Sequence, residues 1–225
     1  MPPIVLATAN PHKIDELRAI FAAANISVIG LNDLPPECIP AGGLREPDET
    51  GNTFEANATI KALSYAAQTG RTCLADDSGI EIDALVLADG TPRPGVISSH
   101  YCTDGRETGM SRSERDAANN ARVLRELKGL PPERCAARFV CVMVLAQPSS
   151  TSSPAQVLAT SRGTFEGRIG IPPRVPAGNN GFGYDPLFLI APKHDCTGAE
   201  LANQVKNRLS HRAKAAQMML QCLGA

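Results

Sequence analysis

Hydrophobic and polar positions alternate in a strand-then-helix rhythm from the first residues onward. "IVLAT", residues 4 to 8, is a short apolar run rich in β-branched side chains and reads as a buried strand. It passes at once into "NPHKIDELRAIFAAAN", where Ile14, Leu17 and Phe21 recur at helical spacing, Asn10 is placed to cap the helix and Pro11 suits its first turn. A second helix is predicted over residues 53 to 68, opened by Asn52 and Glu55 at capping-box spacing. "TCLAD", "RFVCVMVLA" and "VLATSR" read as further buried strands, and "SERDAANNARVLRELK" as a helix with Ala117, Ala121, Leu124 and Lys128 along one stripe. Towards the end, Thr197 and Glu200 in "TGAE" again have capping-box spacing. Ser210 is placed to cap a last helix, opened by His211 and Arg212, with Ala213, Ala216, Leu220 and Leu223 at core spacing. Strands and helices in this mixed order predict an α/β sheet fold. Residues 89 to 109 are turn-rich and read as a surface excursion, and "PSSTSSPA" reads as a polar connection.

Composition narrows the function classes. The 225 residues are 43% hydrophobic and 20% charged, which suits one globular domain over residues 1 to 225. A net charge of -1 provides no global positive field, which argues against a general nucleic-acid binder. The seven cysteines are odd in number and none is paired at CxxC spacing, so reduced thiols in a cytoplasmic protein are expected rather than a disulfide frame or zinc site. No apolar run approaches the ~18 residues of a membrane span.

Several short stretches carry candidate chemistry. In "TANPHK", residues 8 to 13, a strand stops where a helix begins, and the helix amides together with Lys13 favour an anion; a plain β–α turn is the other reading. Lys61 interrupts an otherwise nearly uncharged helix, so it either reaches solvent or faces an anion. "LADDSG" places Asp76 and Asp77 at the expected end of an apolar strand, where like charges raise each other's pKa unless a cation compensates. Asp77 with one carboxylate of "DETG", Asp48 or Glu49, supplies the oxygen ligands that Mg²⁺ prefers. "AGNNGFGYDP" sets two aromatics on a glycine-rich loop, able to stack on a planar base or to cover the core. "VKNRLSHR" gathers Lys206, Arg208, His211 and Arg212, donors suited to purine carbonyl oxygens or phosphates.

Taken in order, "LATANPHKIDEL", "DETGNTFEANATIKA", "LADDSGIEIDAL", "ARFVCVMVLA", "GFGYDPLF" and "AELANQVKNRLSHRAKA" resemble the inosine triphosphate pyrophosphatase family, over nearly the whole chain. The resemblance implies an elongated, two-lobed α/β fold of the Maf-like type, with a central mixed, twisted sheet, an active cleft between the lobes, and a homodimer. It also implies Mg²⁺-dependent hydrolysis of ITP, dITP or XTP to the monophosphate and pyrophosphate. Carried over by motif, Thr8, Ala9, Asn10, Pro11, His12 and Lys13 correspond to the phosphate-side loop and Lys61 to a second phosphate ligand. Glu49 and Asp77 correspond to the metal carboxylates, with Asp77 also the proton acceptor. Ser78 corresponds to a substrate contact, Phe182, Gly183, Tyr184 and Asp185 to the base-binding loop, and Lys206, His211 and Arg212 to readers of the purine. Two other readings stand beside it. A Maf-like enzyme for pyrimidine or modified nucleotides is disfavoured by "GFGYDP" and "SHR". A catalytically silent nucleotide sensor is disfavoured by Lys13, Glu49, Lys61 and Asp77 occurring together.

Overall fold

The structure, a computed structural model, describes residues 2–150 and 154–224; the side chains of His12 and Asn203 lie outside the described residues. In chain order the elements are β1 (Ile4–Leu6), α1 (Pro11–Ala22), β2 (Val28–Gly30), α2 (Phe54–Thr69), β3 (Cys73–Val86) and β4 (Pro92–Pro94). They continue with α3 (Arg112–Glu126), β5 (Ala136–Gln147), β6 (Gln156–Ile169), β7 (Phe188–Ile190), α4 (Asn203–Leu209) and α5 (His211–Cys222). Among the described residues the strands form one mixed sheet in the order β2-β1-β3-β5-β6-β7, with β4 paired to β3. β1 is parallel to β2 and β3, with Val5 opposite Cys73 and Leu6 opposite Leu74, whereas β4 on β3 and β7 on β6 are antiparallel.

The chain divides into two compact units. The first comprises Met1–Asp77, Cys141–Gly163 and His211–Ala225; the second comprises Ser78–Val140 and Thr164–Ser210. In the first unit the expected spacing of α1 holds, since Ile14, Leu17 and Phe21 are buried and cluster with Leu6, Leu74, Met143 and Met219. Each such side chain contributes roughly 1.5–3 kcal/mol on full burial. β5 is buried from Val140 to Ala146 without alternation, the pattern of a strand covered on both faces, whereas "VLATSR" at the start of β6, expected to be buried, leaves Val157 and Leu158 exposed.

Several local expectations are corrected. The cap of α2 is Thr53 rather than Asn52: Thr53 is extended and its hydroxyl accepts from the Ala56 amide at 3.1 Å. β3 runs for 14 residues, so Asp76 and Asp77 lie within the strand rather than at its end. In α5 the buried face is Ala213, Ala216 and Met219, while Leu223 lies past the helix end and is exposed. Thr197 and Glu200 make half of a capping box, the Thr197 amide donating to the Glu200 carboxylate at 2.7 Å. The Thr197 hydroxyl is diverted to the Ala177 carbonyl, and α4 begins only at Asn203.

The second unit gives the largest correction. Residues 89–109 are no loose excursion, because they contain β4 and a 3₁₀ segment, Gly95–Thr103, with Ser98 and Tyr101 buried. α3 explains why. Its buried stripe is Asn119 and Val123, continuing to Leu127, whereas Ala117 and Ala121 are exposed. The Asn119 side-chain amide donates to the carbonyls of Ser98 (3.3 Å) and Ser99 (3.1 Å), and its oxygen accepts from the Cys102 amide at 2.7 Å. A buried polar residue therefore does what an apolar one cannot, satisfying irregular backbone that has no ladder of its own.

Asn119→Ala removes these contacts and leaves buried backbone groups unsatisfied, which should cost about 3 kcal/mol. Urea denaturation followed by circular dichroism checks this. A loss under about 1 kcal/mol, the net worth of one ordinary hydrogen bond, would contradict the assigned role.

Candidate active site

Adjacent residues of a strand point to opposite faces, so β3 presents Asp76 and Asp77 in different directions. Asp76 is buried, and Lys13 from the first turn of α1 donates to both of its oxygens, at 3.0 and 2.9 Å. Arg212, at the start of α5, brings Nε to 3.5 Å from the same carboxylate and donates to Glu16 of α1 at 3.2 Å. Burial pushes the Asp76 carboxyl up, but Lys13 and then Arg212 outweigh it and hold the group well below the usual carboxylate range. Two cationic side chains from two helices thus converge on one buried carboxylate.

Asp77 has a different environment. The Asn57 side-chain amide donates to it at 3.2 Å, while Lys61, one turn further along α2, makes a 2.9 Å ion pair with Glu49 and reaches the Asp76 carbonyl at 3.4 Å. Of the two alternatives for Lys61, the structure shows the anion-facing one. Burial is the main reason that the Asp77 carboxyl is pushed up to about 6; Lys61 opposes this, and Glu49 adds to it. Burial would lower the Lys61 ammonium, but Asp77 and Glu49 together raise it, so it stays charged.

Among the described residues no group of three or more His, Cys, Asp or Glu is gathered for a metal. Mg²⁺ does not require one, since one or two carboxylates with water and phosphate oxygens complete its octahedron. Glu49 and Asp77 fit that pattern by donor type, two carboxylates that both act on Lys61. They are the residues that could hold such an ion.

The loop at residues 8–13 is tied by short bonds. The Thr8 amide donates to the Leu6 carbonyl (2.8 Å), the Asn10 amide to the Thr8 hydroxyl (3.2 Å), and the Ile14 amide to the Asn10 carbonyl (3.1 Å). Pro11 is the first helical residue, as expected. Ala9 and Pro11 are exposed beside the α1 N-terminus. His12, also expected in this loop, has its side chain outside the described residues.

The second unit holds the loop at residues 181–185, together with Ser78, which is half-buried near the start of its share of β3. Phe182 is 53% exposed, an unusual position for a large aromatic. The Arg112 guanidinium lies 4.5 Å from its ring centre and the Lys206 ammonium 5.1 Å away. Lys206 is ion-paired with buried Asp185, whose carboxylate also accepts from the Phe182 amide at 2.8 Å. Gly183, with a φ of 62°, is clamped at both ends: its amide donates to Asp116 at 3.0 Å and its carbonyl accepts from Asn120 at 3.0 Å. Tyr184, in contrast, belongs to the core, and its hydroxyl donates to the Ser98 carbonyl at 2.7 Å.

Within the first unit the structure therefore gathers Lys13 and Arg212 on Asp76, and Glu49 and Lys61 beside Asp77; within the second it gathers Phe182, Gly183, Asp185 and Lys206. His211, half-buried, opens α5 in the first unit beside Arg212. Sequence reasoning missed Glu16, Asn57, Arg112, Asp116 and Asn120. The last three recur every fourth residue on α3, and that polar stripe was the available signal.

Comparison with known proteins adds three findings. Residues 4–222 match the Ham1 family. A Nitratidesulfovibrio vulgaris protein named dITP/XTP pyrophosphatase is 42% identical over 218 residues, covering 97% of this chain and 94% of the relative. Among solved structures, a HAM1 protein from Coxiella burnetii aligns with a TM-score of 0.77 at 36% identity, covering 100% of this chain and 99% of that one. The Ham1 protein of Staphylococcus aureus aligns with a TM-score of 0.74 at 33% identity, covering 99% and 98%.

Removing Arg212 leaves Glu16 and Asp76 with less positive charge in a buried setting. Arg212→Ala should destabilise the protein by roughly 3–5 kcal/mol, which corresponds to a fall in Tm of about 10 °C for a chain of this size. A thermal melt checks this, and a change smaller than about 2 °C would remove Arg212 from the support of Asp76.

Proposed function

The chain belongs to the Ham1 family, and on that premise we propose that it hydrolyses dITP, XTP and ITP, non-standard purine nucleoside triphosphates, to the monophosphate and pyrophosphate. The observation that carries this reading is Asp77, a half-buried carboxylate pushed up to about 6 beside the Lys61–Glu49 pair. At neutral pH such a group remains mostly ionised and is more basic than an ordinary carboxylate. It is suited to take the proton of a water attacking the α-phosphorus.

The other residues divide the remaining work. Lys61 keeps its charge and offsets negative charge gathering on the phosphate. Lys13 carries three donors, two of which the Asp76 oxygens engage, and it stands in the first turn of α1 where helix amides favour phosphate oxygens. Mg²⁺, where bound by Glu49 and Asp77, supplies neutralising charge to the triphosphate.

For the base, exposed Phe182 offers a stacking face, Lys206 beside it is a donor suited to the oxygen at purine position 6, and His211 is a purine reader by family resemblance. Adenine carries an amino group there, and each donor left unpaired costs ~1–3 kcal/mol. Arg212 joins them by family resemblance, while its bonds to Glu16 and Asp76 support a second role in holding Asp76 ionised. The same resemblance supports a homodimer. Cysteines free of disulfides, and no helix long and apolar enough to cross a membrane among the described residues, are compatible with a cytoplasmic enzyme.

A panel of dITP, XTP, ITP, dATP, ATP and GTP assayed for pyrophosphate release with Mg²⁺ tests the reading. Release from dITP and XTP should exceed that from ATP by at least about tenfold, and Asp77→Asn should lose more than nine-tenths of the rate, a barrier change above ~1.4 kcal/mol. Equal rates on all six would refute the substrate assignment. An active Asp77→Asn would refute the assignment of the base.

A further inference from the structure

Asn57 is 3% exposed in the first turn of α2, and an asparagine is a mediocre choice for a buried helical position. Both ends of its carboxamide are engaged. Its nitrogen donates to Asp77 at 3.2 Å and its oxygen accepts from the Gly51 amide at 2.8 Å. Gly51 follows Glu49 by two residues, in a segment with no regular secondary structure. From these contacts we propose that Asn57 is a positioning residue, which sets the Glu49 segment and Asp77 at a fixed separation and so shapes the divalent-cation site. The inference rests on the Mg²⁺ reading given above.

Three further observations support it. The Glu49 segment presses directly on the helix start: a Cβ on Gly51 would lie 2.6 Å from the Ala56 Cβ, 2.7 Å from Asn57 Oδ1 and 3.1 Å from the Asn57 amide nitrogen. Only glycine allows that approach. Lys61, four residues on and therefore on the same face of α2, repeats the bridge one turn away by pairing with Glu49. Gln68, on the same face again, grips the far end of the segment, its oxygen accepting from the Arg45 amide at 2.8 Å and its nitrogen donating to the Arg45 carbonyl at 2.9 Å.

The chemistry explains the residue type. A carboxylate at position 57 would repel Asp77, and an ammonium would repel the Gly51 N–H. A neutral amide both donates to the first and accepts from the second. Removing the carboxamide breaks the link from the Gly51 amide to Asp77, and a site needing both carboxylates within reach of one small ion loses geometry.

The test uses Mn²⁺ as probe, bound to the full-length protein without nucleotide and followed by electron paramagnetic resonance, in wild type, Asn57→Leu and Gly51→Ala. Thermal melts of each variant and kcat and KM for dITP with Mg²⁺ accompany it. Loss of an outer-shell partner of this kind weakens metal binding about 10- to 100-fold. Asn57→Leu should therefore raise the Mn²⁺ Kd by at least about tenfold and lower kcat more than it changes KM. Gly51→Ala should move both in the same direction. A Kd within about twofold of wild type in a folded Asn57→Leu protein, whatever its Tm, would make Asn57 merely structural and overturn the proposal. If Asn57→Leu does not fold, Gly51→Ala decides: its added Cβ pushes the residue 51 amide away from the carboxamide while keeping Asn57, and an unchanged Kd there overturns the proposal as well. A wild-type protein that binds no Mn²⁺ overturns the metal reading itself, which the wild-type arm reports separately from either variant.

Discussion

Two carboxylates placed side by side within a buried strand are the constraint from which the first unit is built. Charges taken out of water need partners, and neighbouring residues of a strand cannot share one set because they face opposite ways. Asp76 is fully served: Lys13 from the α1 start and Arg212 from the α5 start hold it ionised, and Glu16 takes the surplus charge of Arg212. Asp77 meets the Asn57 amide and the charge of a lysine that Glu49 also pairs with. The two carboxyls accordingly shift in opposite directions, one down and one up. The lowered one fixes the ends of two helices, and the raised one is available for chemistry.

The second unit solves a different problem, the ordering of chain that has little regular structure. Polar side chains of α3 do this. Asn119 fastens the 3₁₀ segment from the inner face, while Asp116 and Asn120 hold the Gly183 peptide and Arg112 covers Phe182. A loop pinned through its backbone can leave one aromatic side chain exposed without collapsing onto it, which is the condition for a preformed stacking surface.

The parts of this fold legible in the sequence are those written in apolar periodicity. Ile14, Leu17 and Phe21 marked the inner face of α1, and the unbroken run in β5 marked a strand covered on both sides. Lys61 was legible as well, because a lone charge in an apolar helix must find solvent or an anion. What escaped was carried by polar residues whose partners lie far along the chain. Asn119 sits on the inner stripe of α3, where apolar periodicity put alanines instead. Asn57 was hidden inside a motif, since nothing local shows that its amide meets residues 51 and 77. The excursion over residues 89–109 read as surface because its order comes from side-chain contacts to α3 rather than from a pattern of its own. Tyr184 and Phe182 are near neighbours on one loop, yet only the structure separates the core residue from the exposed one.

Attack of water at the α-phosphorus, drawn towards Asp77, is tested most directly by hydrolysing dITP in oxygen-18 water and locating the label by mass spectrometry. Incorporation of one labelled oxygen into dIMP, with unlabelled pyrophosphate, is the predicted result. Label in pyrophosphate, or release of orthophosphate in its place, would contradict it and move the reaction to a different phosphorus.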